Sequence, residues 1–190
     1  MTLFQILMLG ASAFFAFKVY EHIQTLKDPK TALEGGSLPS QFDPEALVQR
    51  ADEEFEAGNM QKAFDLLKEA NAKRAQDGDV LFKMGYILQQ LKQDEEALNY
   101  YKEALEKDRE NEFIHNAIAS VYRAKGEFVS ARIHLSASLA IDNQNAVTYY
   151  NYGNLLVDMK HLDEAKEMYK TALEINPDFK EAQEELEKLG

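Results

Sequence analysis

Cysteine is missing from all 190 residues, which excludes a disulfide framework, thiolate zinc sites and cysteine catalysis. Proline is scarce, at four. Beyond position 20 the chain is rich in Ala, Glu, Lys, Leu and Tyr, a composition that favours helices. Basic charge is also short. The formal net charge is -12, and residues 1–43 hold three Lys against four Asp or Glu, so the remainder carries -11. Nucleic-acid binding needs Lys and Arg to replace phosphate counterions, and no run or stripe of them occurs. Nucleic acid is therefore discounted as a partner.

Catalytic signatures are absent too. There is no Gly-rich phosphate loop, paired-His helix motif or nucleophile elbow. His22, His115, His134 and His161 have no metal-ligand spacing: His115 reads as a packing residue, His134 as helix surface and His161 as part of a turn. Carboxylate runs such as Asp52, Glu53, Glu54 and Glu56 read as solvated helix faces. The sequence argues against an enzyme and implies neither a cofactor nor a metal.

What is present divides in two. From Leu3 to Tyr20 the residues are almost all apolar, and at 1.5 Å per residue they give roughly 27 Å of helix, about enough to span a bilayer. Residues 1–26 are therefore expected to form a single-pass transmembrane helix with its extension. Lys18 stands at the end of the apolar run, Lys27 and Lys30 follow it and no Lys or Arg precedes it, which places the rest of the chain on the cytoplasmic side. A cleaved signal peptide, with Ala11, Ser12 and Ala13 near the cut, is the rival reading, although it lacks a basic start. Residues 27–43, with two prolines and the Gly35–Gly36 pair, read as a flexible linker.

The remainder repeats. Sliding the sequence by 34 residues aligns it from Pro44 to Phe179 without a gap, in units 44–77, 78–111, 112–145 and 146–179. The eighth column holds Ala51, Gly85, Ala119 and Gly153, and the twentieth holds Ala63, Ala97, Ala131 and Ala165. The twenty-fourth holds Leu67, Tyr101, Leu135 and Tyr169. Small side chains let two helices of a hairpin approach while large ones fill the space opposite, and stacked hairpins share one continuous core. Gly58 and Gly126 mark turns after first helices, as Asn176 and Pro177 do after the last second helix. Phe179, Ala182, Leu186 and Leu189 recur at helical spacing, so 180–190 is expected to be a capping helix.

These columns resemble the tetratricopeptide repeat family, and Tyr149, Gly153, Leu156, Ala165, Tyr169, Ala172 and Pro177 stand at its signature positions. The resemblance implies an all-α, right-handed α-α superhelix of four hairpins plus the capping helix, preceded here by the hydrophobic helix. It also implies a concave groove lined by the second, fifth, ninth and twelfth positions of each first helix. Within that groove Phe82, Tyr86, Gln89, Asn116, Arg123, Tyr150 and Asn154 are the expected contacts for a protein or peptide partner. Phe82 and Phe113 could equally be packing between hairpins. The chaperone-binding members of the family clamp an acidic tail with Lys, Asn and Arg in columns five and nine. This chain has Val48 and Asp52, Phe82 and Tyr86, then Asn116 and Ser120, so no clamp is assembled. The resulting expectation is a membrane-anchored scaffold or adaptor, the alternatives being a self-associating structural membrane protein or, if the N-terminus is a cleaved signal peptide, an exported repeat domain.

Overall fold

A computed structural model describes residues 43–74 and 77–190. Every described element is a helix. In chain order they are α1 (Pro44–Glu56), α2 (Met60–Lys73), α3 (Gly78–Gln90), α4 (Asp94–Lys107), α5 (Glu112–Ala124), α6 (Phe128–Ile141), α7 (Ala146–Asp158), α8 (Leu162–Ile175) and α9 (Lys180–Lys188). They pair as α1–α2, α3–α4, α5–α6 and α7–α8, and each second helix packs on the first helix of the next pair. The last, α9, packs on α8. Among the described residues the chain is an all-helical solenoid of the tetratricopeptide type.

Local chemistry sets the helix starts. The thirty-fourth column supplies Asp77, Asn111 and Asn145, whose side-chain oxygens accept from the backbone N–H of Asp79 and Val80, Phe113 and Ile114, and Val147 and Thr148. Each cap satisfies donors that the first helical turn leaves open. The first helix has Pro44 in its opening turn instead, where a missing N–H costs nothing. Between the two helices of a pair, the fifteenth column turns the chain in the left-handed region: Gly58, Lys92, Gly126 and Lys160 have φ of 81, 64, 77 and 65°.

Packing follows the columns. Ala63, Ala97, Ala131 and Ala165 are all fully buried, as are Tyr101 and Tyr169. Around them Leu47, Leu67, Leu81, Leu88, Ile118, Leu135 and Leu155 fill the interior, each such side chain contributing about 1.5 to 3 kcal/mol by leaving water. Ala182 of α9 is buried as well, so this short helix covers the apolar end of the stack.

The hydrophobic helix over 1–26 and, apart from Asp43, the linker over 27–43 lie outside the described residues. Among the described residues no helix is long and apolar enough to cross a membrane. A helix of 14 residues such as α2 reaches roughly 21 Å, short of the roughly 30 Å of hydrocarbon. The single-pass membrane localisation, with its cytoplasmic placement of the repeats and the membrane as a partner, is corrected on this finding.

Candidate functional site

On each first helix, positions three or four apart share a face. One such stripe runs through Asp79, Phe82, Lys83, Tyr86 and Gln89 on α3, and another through Val147, Tyr150, Asn151, Asn154 and Val157 on α7. First helices α3, α5 and α7 touch in succession, so the stripes form one continuous first-helix face.

Aromatic rings anchor two parts of this face. Phe55 and Tyr86 meet across the first two pairs with ring centroids 5.6 Å apart, and burial pushes the Tyr86 phenol up to about 12. At the far end Tyr150 lies 5.1 Å from Phe179 and 5.9 Å from Tyr169. Burial, then the carboxylates Glu185 and Glu181, raise the Tyr150 phenol, against Asn154 and Arg123. Both tyrosines are neutral donors and acceptors at physiological pH. Phe82 is half-buried, its ring 5.5 Å from that of Tyr101.

Polar residues of this face bond both within a helix pair and across to the next one. Gln89 accepts from the Tyr101 hydroxyl at 2.9 Å and donates to Ser120 Oγ at 3.2 Å. Asn154 accepts from the Tyr169 hydroxyl at 2.7 Å. The Arg123 guanidinium meets Asp158 at 2.9 Å. Lys83 Nζ lies 2.7 Å from both Asp52 oxygens.

Asn116 departs from its expected place. It is only 7% exposed, and its Nδ2 lies within 2.7 to 3.0 Å of Thr148 Oγ1, Ser138 Oγ and the Glu112 carbonyl. Its Oδ1 accepts from Asn151 at 3.1 Å. Both ends of the amide are engaged, so Asn116 joins the third and fourth pairs from inside. The sequence signal was the small polar pair Ser138 and Thr148, at columns that hold Ala or bulkier apolar residues in other units.

A second feature escaped the sequence. His115 Nδ1 and His134 Nδ1 stand 3.0 Å apart between α5 and α6, and Tyr122 stacks on His134 at 5.7 Å. Burial holds His115 below its ordinary value, opposed by the Arg109 backbone. Burial, then the His115 and Lys102 charges, hold His134 down at about 4. The two occupy the fourth and twenty-third columns of one unit, where the first unit has the buried pair Leu47 and Leu66. An open depression of about 330 Å³ beside His115 is lined also by Lys102, Leu105, Glu106 and Arg109. Among the described residues no group of three His, Cys, Asp or Glu is placed to hold a metal ion.

The tetratricopeptide repeat model matches residues 54–121 and 122–189, well over half of the chain. The chain belongs to the tetratricopeptide repeat family. No curated protein matches it. Among solved structures, Pseudomonas aeruginosa PilF is similar at 20% identity and TM-score 0.70, covering 77% of this chain and 67% of that one. YrrB, a tetratricopeptide protein with an unusual peptide-binding site, is similar at 19% identity and TM-score 0.65 over 93% of this chain and 86% of its own. The first tetratricopeptide domain of Spaghetti (RPAP3), solved with the HSP90 peptide SRMEEVD, is 26% identical with TM-score 0.57, over 60% of this chain and 91% of its own. At such identities the PilF and YrrB likenesses bear on fold alone.

Proposed function

We propose that this chain is a protein-binding module that holds a segment of a partner protein along its first-helix face. The observation that carries the reading is the pairing of half-buried aromatics at two separated points, Phe55 with Tyr86 and Tyr150 with Phe179, with amides of Gln89 and Asn154 between or beside them. Rigid rings give apolar contact at low entropy cost, and amides can pair with the main chain of an extended or helical segment. Phe82, Tyr86, Gln89, Arg123, Tyr150 and Asn154 are the proposed contacts, and Asn116 positions its neighbours from beneath. Peptides bound by other members of the family support binding rather than catalysis. The test is affinity capture from cells that express the chain, with wild type and a face-blocked variant as bait. A protein retained by the first and lost by the second is expected. Equal recovery of every protein would refute the reading.

A second reading, a scaffold made of two or more copies, is favoured by α6. Val129 and Ile133 on its outer side are 66% and 62% exposed. Unlike α2, α4 and α8, α6 has no carboxylate and its one Lys or Arg is Arg132, so two copies of this acidic chain could meet there without bringing carboxylates together. Sedimentation of wild type against Ile133→Glu tests it: the wild type sediments as a larger species and the variant as a monomer, whereas two identical monomers would remove this reading.

A further inference from the structure

Which chemistry suits the first-helix face follows from its charges. On the first-helix face the carboxylates are Glu45, Asp52 and Glu56 of α1, Asp79 of α3 and Asp158 of α7, and the cations are Lys83 and Arg123; Glu45 is paired with Arg74 from the end of α2 at 2.9 Å. Both cations are held by carboxylates of the adjoining pair: Lys83 by both oxygens of Asp52 at 2.7 Å, and Arg123 by Asp158 at 2.9 Å. An acidic segment would have to displace an intramolecular carboxylate to reach either one, and would meet the remaining carboxylates as like charges. A basic segment meets the exposed Asp79 and Glu56 as opposite charges, and at Asp158 it shares the carboxylate with Arg123. Asp79 is exposed at the start of α3, and the side chain of Asp158 is 41% exposed even while it pairs.

We infer that the occupant of this face is a segment of another protein that carries Lys or Arg between apolar side chains. The inference rests on the first-helix face being the binding surface. Apolar side chains of the segment sit against the Phe55–Tyr86 and Tyr150–Phe179 ring pairs, and its cations reach Asp79, about two turns before Tyr86 on α3, and Asp158, about two turns beyond Tyr150 on α7. Acidity also raises the encounter rate with a basic segment and makes it sensitive to salt. This is the opposite charge preference to that of a receptor for acidic tails.

The test pans a displayed library of random peptides against the whole chain and reads the charge of the recovered sequences. Because the chain has no cysteine, Val147→Cys can be capped with a bulky neutral maleimide. Val147 is 49% exposed, so the cap blocks the face without entering the core. Peptides lost on capping are the ones that use this face. They are expected to be rich in Lys and Arg and to weaken about threefold with Asp79→Asn or Asp158→Asn, the size of a surface ion pair. Glu in place of their Lys and Arg is expected to weaken synthetic copies at least about tenfold. Face-dependent peptides that are neutral or acidic overturn the charge inference and leave the binding face standing. A library that yields no peptide sensitive to the cap overturns both.

Discussion

Gly153 is shaped to Tyr169: a Cβ built on the glycine would stand 2.5 Å from the tyrosine Cε1. The same fit recurs two repeats earlier, where a Cβ on Gly85 would stand 2.7 Å from Tyr101. Where the large partner is Leu67 or Leu135, the small one is Ala51 or Ala119. The two columns are therefore matched in volume, glycine with tyrosine and alanine with leucine. Each tyrosine hydroxyl then emerges to bond Gln89 or Asn154 on the first-helix face, so core packing and face chemistry are one arrangement.

Gly153→Ala should lower stability by about 1 to 2 kcal/mol, overpacking outweighing the better helix propensity of alanine. Adding Tyr169→Leu should recover part of that loss by restoring the alanine–leucine match. Urea denaturation of the single and double variants measures both.

The left-handed turns offer an independent check. Lys92 and Lys160 hold φ of 64 and 65°, a conformation that costs a non-glycine residue roughly 1 to 2 kcal/mol. Glycine loses more backbone entropy on folding, so Lys92→Gly or Lys160→Gly should gain about 0.5 to 1 kcal/mol each. Gly126→Ala, at φ 77°, should lose about 1 kcal/mol. Thermal melts of the three variants give the signs.

Acid should weaken the α5–α6 pair. With folded values below the unfolded one, His134 and His115 bind protons more readily in the unfolded chain. Their effect is nil well above the unfolded value and grows as pH falls from about 6.5 toward the folded value of about 4 given for His134. For His134, discounted for its partial exposure, the loss by pH 5 is about 1 kcal/mol. The drop in urea midpoint between neutral pH and pH 5 should be smaller in His134→Gln than in wild type. Carboxylates contribute equally to both chains, so the difference reports the His115–His134 pair.

Asn116→Leu should cost about 2 kcal/mol or more, since the substitution puts bulk where Thr148, Ser138 and Asn151 now find partners. The damage should concentrate at the junction of the third and fourth pairs, because repeats couple through nearest neighbours. Hydrogen exchange should speed up in α7, α8 and α9 before α3 and α4.

Much of the fold was legible because a fixed repeat multiplies each signal. One alanine is ambiguous, but Ala63, Ala97, Ala131 and Ala165 at constant spacing specify a helix contact. The site was legible only in part. Columns showed which side of a helix a residue occupies, but not how deeply a neighbouring pair buries it: hence Asn116, in the fifth column, lies inside while Tyr150, in the same column one repeat along, is only half-buried. Ion pairs such as Lys83 with Asp52 join residues 31 apart and depend on how pairs stack. The left-handed lysines were hidden because lysine gives no turn signal, although Gly58 and Gly126 in the same column pointed to them.

Photo-crosslinking decides whether the partner lies on the first-helix face. A benzophenone maleimide is placed on Val147→Cys in one sample and on Ile133→Cys, on the outer side of α6, in another. The captured protein should be trapped from position 147 and not from position 133. Trapping from position 133 alone would contradict the account.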